Sequence, residues 1–132
     1  MDLTTNKGEL SVGVKMLDCD HRTLFETINE LQFLAASDAD PLRTGSLLSK
    51  LADFTLTHFA LEEEMMAATK FSGMALHRLH HQRLAEHATA LASRYNRGGL
   101  GLDSQSLSFL LELHANHVKQ DDLHYGLWLN AI

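Results

Sequence analysis

Apolar residues recur at spacings of three and four along most of the chain, the period of a helix that packs on one side. The first such stripe runs through Leu24, Phe25, Ile28, Leu31 and Leu34. The same period predicts four helices, over residues 19–37, 41–69, 73–96 and 104–129. Little of the sequence alternates with the period of a β-strand, so the fold class is predicted to be all-α.

Residues that favour helix starts and stops separate these stripes. The candidate capping residues are Asp18 or Asp20, Asp40, Ser72 and Asp103, whose side-chain oxygens can accept from free amides at a helix start. Pro41 fits the first helical position, and Asn96-Arg97-Gly98-Gly99 favours the end of the third helix. Short connections make sequential helices neighbours, so we predict one domain, residues 1–132, folded as an antiparallel up-down-up-down four-helix bundle.

Histidine and carboxylate residues interrupt the inner stripes of all four predicted helices. They are His21, His58, Glu62, His77, His81, His117 and Asp122. His58 and Glu62 are four residues apart, as are His77 and His81, and this separation places each pair on one helix face. Buried polar groups without partners each cost on the order of several kcal/mol, and metal coordination removes that cost. Five imidazoles and two carboxylates are enough to hold two metal ions.

The C-terminal pair leaves two carboxylates open. Residues four apart are aligned on an ideal helix, whereas residues five apart diverge by ~140°. Helix geometry alone therefore favours Asp121 over Asp122 as the partner of His117.

The donor atoms indicate which metals fit. Structural zinc is commonly bound through cysteine, which this set lacks, and calcium and magnesium prefer oxygen ligands. Imidazole with bridging carboxylate favours iron, with manganese or cobalt as substitutes. The single cysteine, Cys19, excludes an internal disulfide and fits a reducing compartment. We expect it to be a buried or half-buried small residue rather than a redox thiol.

Charge and hydropathy exclude several partners. The chain has 11 Lys plus Arg against 17 Asp plus Glu, a formal charge of −6, which argues against nucleic acid and anionic membrane surfaces. No run approaches the ~18 apolar residues of a membrane helix, and the polar N-terminus lacks a signal-peptide core. We therefore expect a soluble cytoplasmic protein.

Several spaced motifs together resemble the hemerythrin family, in particular the single-domain bacteriohemerythrins. The matching segments are Ser11-Val12-Gly13-Val14 with Asp18-x-x-His21, His58-Phe59-x-x-Glu62-Glu63, His77-x-x-x-His81, and His117-x-x-x-x-Asp122 with Tyr125-Gly126. The resemblance covers nearly the whole chain and follows the same order. It favours Asp122 over Asp121, because the family uses the five-residue spacing.

The resemblance implies a di-iron site in the core of the bundle. In it, His77, His81 and His117 would bind one iron, and His21 and His58 would bind the other. Glu62 and Asp122 would bridge the two iron ions (Fe2+/Fe3+) beside an oxo or hydroxo bridge. The second iron would then keep one position open.

The implied function is reversible dioxygen binding for oxygen storage, delivery or sensing, without enzymatic catalysis. An oxygen-consuming or electron-donor protein would be a partner. The alternative is a di-iron oxidoreductase acting on peroxide, nitric oxide or ferrous iron, for which His114 is the sequence's candidate acid.

The chain departs from the family pattern at two positions and carries further polar residues outside it. Leu113 and the region of Asn6 stand where bacterial members usually have tryptophan. The remaining histidines are His80, His87, His114 and His124. We expect them to lie on the surface or to contact the metal-ligating side chains. Glu63 and Glu64 are expected to face solvent, with a hydrogen bond to a ligand imidazole as the alternative.

Overall fold

The computed structural model describes residues 10–37, 40–98 and 104–132. Its elements are α1 (Lys15–Ser37), α2 (Pro41–Ala68), α3 (Met74–Gly98), α4 (Ser104–His117), a π-helical turn (Val118–Asp122) and α5 (Leu123–Ala131). Across those three ranges no residue lies in a strand, as the sequence predicts.

The helices close a ring around one core. α1 packs against α2 and α4, and α3 packs against the same two helices. Apolar side chains from every helix meet inside, among them Phe25, Leu51, Leu91 and Leu110. This arrangement confirms the predicted four-helix bundle. In the described part of the chain, no helix combines the length and the apolar character needed to cross a membrane.

The start of α1 differs from the prediction. The helix begins at Lys15, so Asp18 lies inside it and is not its cap. The Asp18 carboxylate instead accepts hydrogen bonds from the Val12 amide (2.8 Å) and the Ser11 hydroxyl (2.7 Å). It therefore anchors the segment that leads into the bundle, which leaves the helix without the predicted start signal.

Both ends of α2 follow local rules. The Arg43 amide donates to Asp40 Oδ1 at 3.1 Å and Pro41 opens the helix, so the predicted start is confirmed. At the other end Lys70 takes a left-handed conformation with φ 59°. The Phe71 amide then reaches back to the Met66 carbonyl at 3.0 Å, the bond that closes a Schellman motif.

The third and fourth helices also differ from their predicted bounds. α3 begins at Met74, directly after Gly73, so Ser72 is not its cap, and it continues to Gly98 rather than residue 96. The predicted cap Asp103 lies outside the described residues. The predicted helix 104–129 is interrupted by the π turn, where the Leu123 amide donates to the Val118 carbonyl five residues earlier.

Gly126 permits a close approach between α5 and the entry segment. A Cβ atom built on Gly126 would lie 1.9 Å from the Val12 carbonyl oxygen. We expect Gly126→Ala to lower the free energy of unfolding of the metal-free protein by about 1–3 kcal/mol, measured by urea titration, because backbone must shift to admit the methyl group. Gly98→Ala is the control, since no atom lies within 4 Å of its Cβ position. Equal stability of the two variants would contradict the prediction.

Candidate metal centre

Seven polar side chains converge where the helices surround the core. His21 comes from α1, His58 and Glu62 from α2, and His77 and His81 from α3. His117 ends α4 and Asp122 ends the π turn. All seven are buried, and Glu62 has no exposed surface. The structure thus brings together every residue that the sequence singled out for the site.

The seven side chains form two groups that share both carboxylates. In each group the candidate ligand atoms lie within 4.8 Å of one another. The first group is Glu62, His77, His81, His117 and Asp122, and the second is His21, His58, Glu62 and Asp122. We call these the three-histidine end and the two-histidine end.

Glu62 spans the two ends through its two oxygens. Its Oε1 lies 2.5 Å from His77 Nε2 and 3.2 Å from His81 Nε2. Its Oε2 lies 3.4 Å from His58 Nε2. One carboxylate therefore faces both groups of imidazoles.

Asp122 spans the two ends in the same way. Its Oδ1 lies 2.9 Å from His77 Nε2 and 3.1 Å from His117 Nε2, and its Oδ2 lies 2.9 Å from His21 Nε2. Glu62 and Asp122 thus each turn one oxygen toward each end of the cluster.

The π turn places Asp122, and not Asp121, in the centre. A π turn closes its hydrogen bond over five residues instead of four, so His117 and Asp122 share a face across it. Asp121 lies one residue away, and its Oδ2 accepts from the outer Nδ1 of His117 at 2.8 Å. The preference of ideal helix geometry for Asp121 is wrong at this position.

The inward-facing atoms fit a metal. Several are fully buried and have no hydrogen-bond partner among the described residues, because their close contacts lack hydrogen-bond angles. They are Nε2 of His21, His58, His81 and His117, both oxygens of Glu62, and Oδ2 of Asp122. Buried polar atoms are normally paired, and converging nitrogen and carboxylate donors without partners are the groups that transition metals bind.

Three carboxylates outside the seven hold the outer nitrogens of the imidazoles. The pairs are His58 Nδ1 with Asp20 Oδ2 (2.9 Å), His81 Nδ1 with Glu63 Oε2 (2.9 Å), and His117 Nδ1 with Asp121 Oδ2 (2.8 Å). A proton shared on Nδ1 leaves Nε2 free to face inward. Carboxylates in this position fix ring orientation and raise the basicity of the imidazole.

Of these three carboxylates, Asp20 was not predicted to contact the site, whereas the hydrogen bond of Glu63 is the alternative that the sequence left open. Asp20 is not a helix cap, and Glu63 does not face solvent freely, since it joins His81 to Arg78 with an Arg78 Nε to Glu63 Oε1 distance of 3.1 Å. A signal was present: Asp20, Glu63 and Asp121 each stand beside a predicted site residue in the sequence. A neighbour in a helix points about 100° away from it, toward an adjoining surface.

Charge pairing dominates the titration of the metal-free centre. Burial disfavours the charge on Glu62, but the close imidazoles of His58, His77 and His81 outweigh it and lower its pKa to about 2. Burial also opposes the charge on His77, yet contacts with Asp122 and Glu62 raise its pKa to about 9. Without metal, an ionised Glu62 therefore faces a protonated His77 at neutral pH.

The same balance between burial and charge pairing holds for His117 and Asp122. Burial disfavours the charge on His117, but the hydrogen bond to Asp121 and the close contact with Asp122 raise its pKa to about 10. Burial likewise opposes ionisation of Asp122, while His117, His21 and His77 hold its pKa well below its usual range.

We expect the metal-free protein to lose stability as pH rises from 6.5 to about 10. The pKa values of His77 and His117 are raised from 6.5 to about 9 and about 10, so their stabilising contribution is complete below pH 6.5 and disappears through that window. Urea unfolding with chelator present, repeated across the range, measures the effect. A midpoint that rises or stays level from pH 6.5 to 10 would contradict it.

The other residues named from the sequence differ in how far they are buried. His114 is 1% exposed and packs beside Phe59, whereas His124 is exposed and Leu113 is half-buried. Cys19 is exposed on α1, so the expectation that it would be buried or half-buried is wrong. Asn6 lies outside the described residues.

The fold and the buried cluster define a metal-binding four-helix bundle. Residues 12–129 match the sequence model of the hemerythrin HHE cation binding domain, and the chain belongs to this family.

Relatives and solved structures agree with this assignment. The chain is 26% identical to a bacteriohemerythrin of Methylococcus capsulatus, over 98% of each chain. It is 31% identical to a myohemerythrin of Riftia pachyptila, over 86% of this chain and 83% of the relative. A crystal structure of wild-type hemerythrin superimposes with a TM-score of 0.81 at 26% identity, over 87% of this chain and 88% of the other.

Proposed function

We propose that the protein binds dioxygen reversibly at a non-haem di-iron centre, for oxygen storage, delivery or sensing. One observation carries the proposal: two buried carboxylates are shared between a three-histidine end and a two-histidine end. Membership of the hemerythrin family supports a di-iron, oxygen-binding protein in general terms. Unequal imidazole numbers leave one metal with fewer protein ligands, which is what uptake of an outside ligand requires.

The proposed ligand set follows the two ends. His77, His81 and His117 would hold one iron, and His21 and His58 the other. Glu62 and Asp122 would bridge both, each through its two oxygens. Mixed imidazole and carboxylate donors suit iron, and no cysteine joins the cluster, so structural zinc is disfavoured.

The iron pair, when bound, would supply the electrons that dioxygen takes up and returns. The protein's part is to orient the imidazoles and exclude water. Asp20, Glu63 and Asp121 orient three rings through their Nδ1 atoms. Phe59 stacks on His81 with ring centroids 3.9 Å apart, and Phe54 lies parallel to His58 at 6.3 Å. These aromatic rings keep the surroundings apolar, which favours release of oxygen over its irreversible reduction.

The test is reconstitution with ferrous iron in the absence of air. We expect two irons per chain and a visible band that appears with oxygen and disappears when oxygen is removed. One iron or none would overturn the ligand set. Two irons whose spectrum passes directly to a stable diferric form would overturn reversible binding.

A second function, a di-iron oxidoreductase acting on peroxide, nitric oxide or ferrous iron, is favoured by one observation. His114 places a polar, buried imidazole beside Phe59 and close to the centre, where it can exchange a proton with a bound substrate. Turnover of these substrates with an added reductant, measured on the same reconstituted protein, separates the two functions. Sustained product formation would favour the oxidoreductase.

A further inference from the structure

His114 is a buried polar group that the proposed ligand set does not use. It lies on α4, one helical turn before His117, and is 1% exposed. Its Nε2 has no hydrogen-bond partner among the residues that the structure describes. It belongs to neither end of the centre. A buried, unpaired imidazole nitrogen costs free energy that an apolar side chain of similar size would not.

The ring of His114 lies beside that of Phe59. The two ring centroids lie 6.3 Å apart at an angle of 28°. The same phenyl ring lies 5.8 Å from His117 and 5.9 Å from His58. His114 therefore lies beside the same phenyl ring as imidazoles from both ends of the centre.

Burial also determines the protonation state of the His114 ring. Burial is the largest cause that lowers the pKa of His114 to about 3. The ring is thus neutral at ordinary pH, with one nitrogen able to donate and the other to accept. The link of His114 to the two-histidine end is geometric: the Phe59 ring beside it also lies 5.9 Å from His58.

We propose that His114 is a hydrogen-bonding contact for the small ligand taken up at the two-histidine end, with Nε2 turned toward that ligand. This inference rests on the proposed function. The two-histidine end groups four candidate ligand residues against five at the other end, so a metal held there would have fewer protein ligands. The unpaired Nε2 acquires its partner only when that molecule binds, so His114 is a residue that sets ligand affinity and residence time.

Azide is the probe, added to the diferric protein after iron has been counted. Three variants are compared with the native chain: His114→Leu, which removes the polar atoms, His114→Gln, which keeps a donor, and His87→Leu, a half-buried histidine outside the centre. A hydrogen bond to a charged acceptor corresponds to about tenfold to hundredfold in affinity. We expect the azide Kd to rise by that factor in His114→Leu, to recover in part in His114→Gln, and to stay unchanged in His87→Leu.

The vibrational spectrum gives a second readout. If Nε2–H donates to azide, the azide stretch of the native protein shifts in D2O, and this shift is absent in His114→Leu. Azide affinity in His114→Leu within twofold of native, or a native stretch that does not respond to D2O, would overturn the proposal. Failure of the proposed function would appear separately, as a wrong iron count or an irreversible oxygen spectrum in the native protein before azide is added.

Discussion

Replacing His58 with alanine is expected to abolish the reversible oxygen spectrum. His58 is one of only two imidazoles at its end of the centre, and its Nε2 faces Glu62 Oε2 at 3.4 Å. Loss of a carboxylate that merely orients a ligand typically weakens metal binding 10- to 100-fold, so loss of the ligand itself should exceed about 100-fold. We expect the iron content to fall from two per chain to about one, measured by metal analysis after dialysis against a weak chelator.

His124→Ala is the matched control, because His124 is exposed and its ring contacts Phe71 rather than the cluster. It should keep both irons and the full oxygen band. The three-histidine end should also retain its iron in His58→Ala, since that end does not include His58. A native oxygen band in His58→Ala would show that the two-histidine end is not where oxygen binds.

The bundle was predictable because its signals are local and repeated. Apolar residues such as Ile28, Leu51 and Leu110 follow one period, and Asp40 with Pro41 marks a helix start that the structure reproduces. The start of α1 was not predictable in this way. Asp18 resembles a cap in sequence, but its carboxylate binds the preceding segment, a contact that depends on tertiary folding.

The convergence of the seven site residues was predictable for a similar reason. Each interrupts an apolar stripe, and the stripe fixes which way it points. The outer carboxylates were harder to predict, because Asp20 reaches His58 on another helix and Glu63 reaches His81 on another helix. No helical period within one segment encodes such pairs. Their position beside a site residue in the sequence is the local signal, and it left the Glu63 bond open as an alternative.

The π turn shows most clearly what helical periodicity cannot predict. An α-helix continued from His117 would align Asp121, and the sequence Val118-Lys119-Gln120 carries no glycine or proline to signal a change. The π turn contains one residue more than an α-helical turn. This additional residue brings Asp122 into the centre and places Asp121 at the outer nitrogen of His117. Polar pairing at the buried centre offsets the cost of the irregular turn.

Asp122→Asn and Asp121→Asn test this assignment directly, because the two residues are adjacent and the substitution is the same. Asp122 is 1% exposed and contacts imidazoles at both ends, so its amide replacement supplies one acceptor and one donor where two ligand oxygens are needed. We expect Asp122→Asn to retain less than one iron per chain and to lose the oxygen band. Asp121 lies outside, and an asparagine there can still accept from His117 Nδ1. We expect Asp121→Asn to bind both irons with at most about 10- to 100-fold lower affinity.

A third measurement on the same pair needs no metal. Asp122 contributes to the raised pKa values of both His77 and His117, whereas Asp121 contributes only to that of His117. The alkaline loss of stability in the metal-free protein should therefore shrink more in Asp122→Asn than in Asp121→Asn, because Asp122 supports the charge of both imidazoles and Asp121 that of His117 alone. If Asp121→Asn proved the more damaging variant in both iron content and alkaline stability, the ideal helix spacing would be right and the π turn would not define the centre.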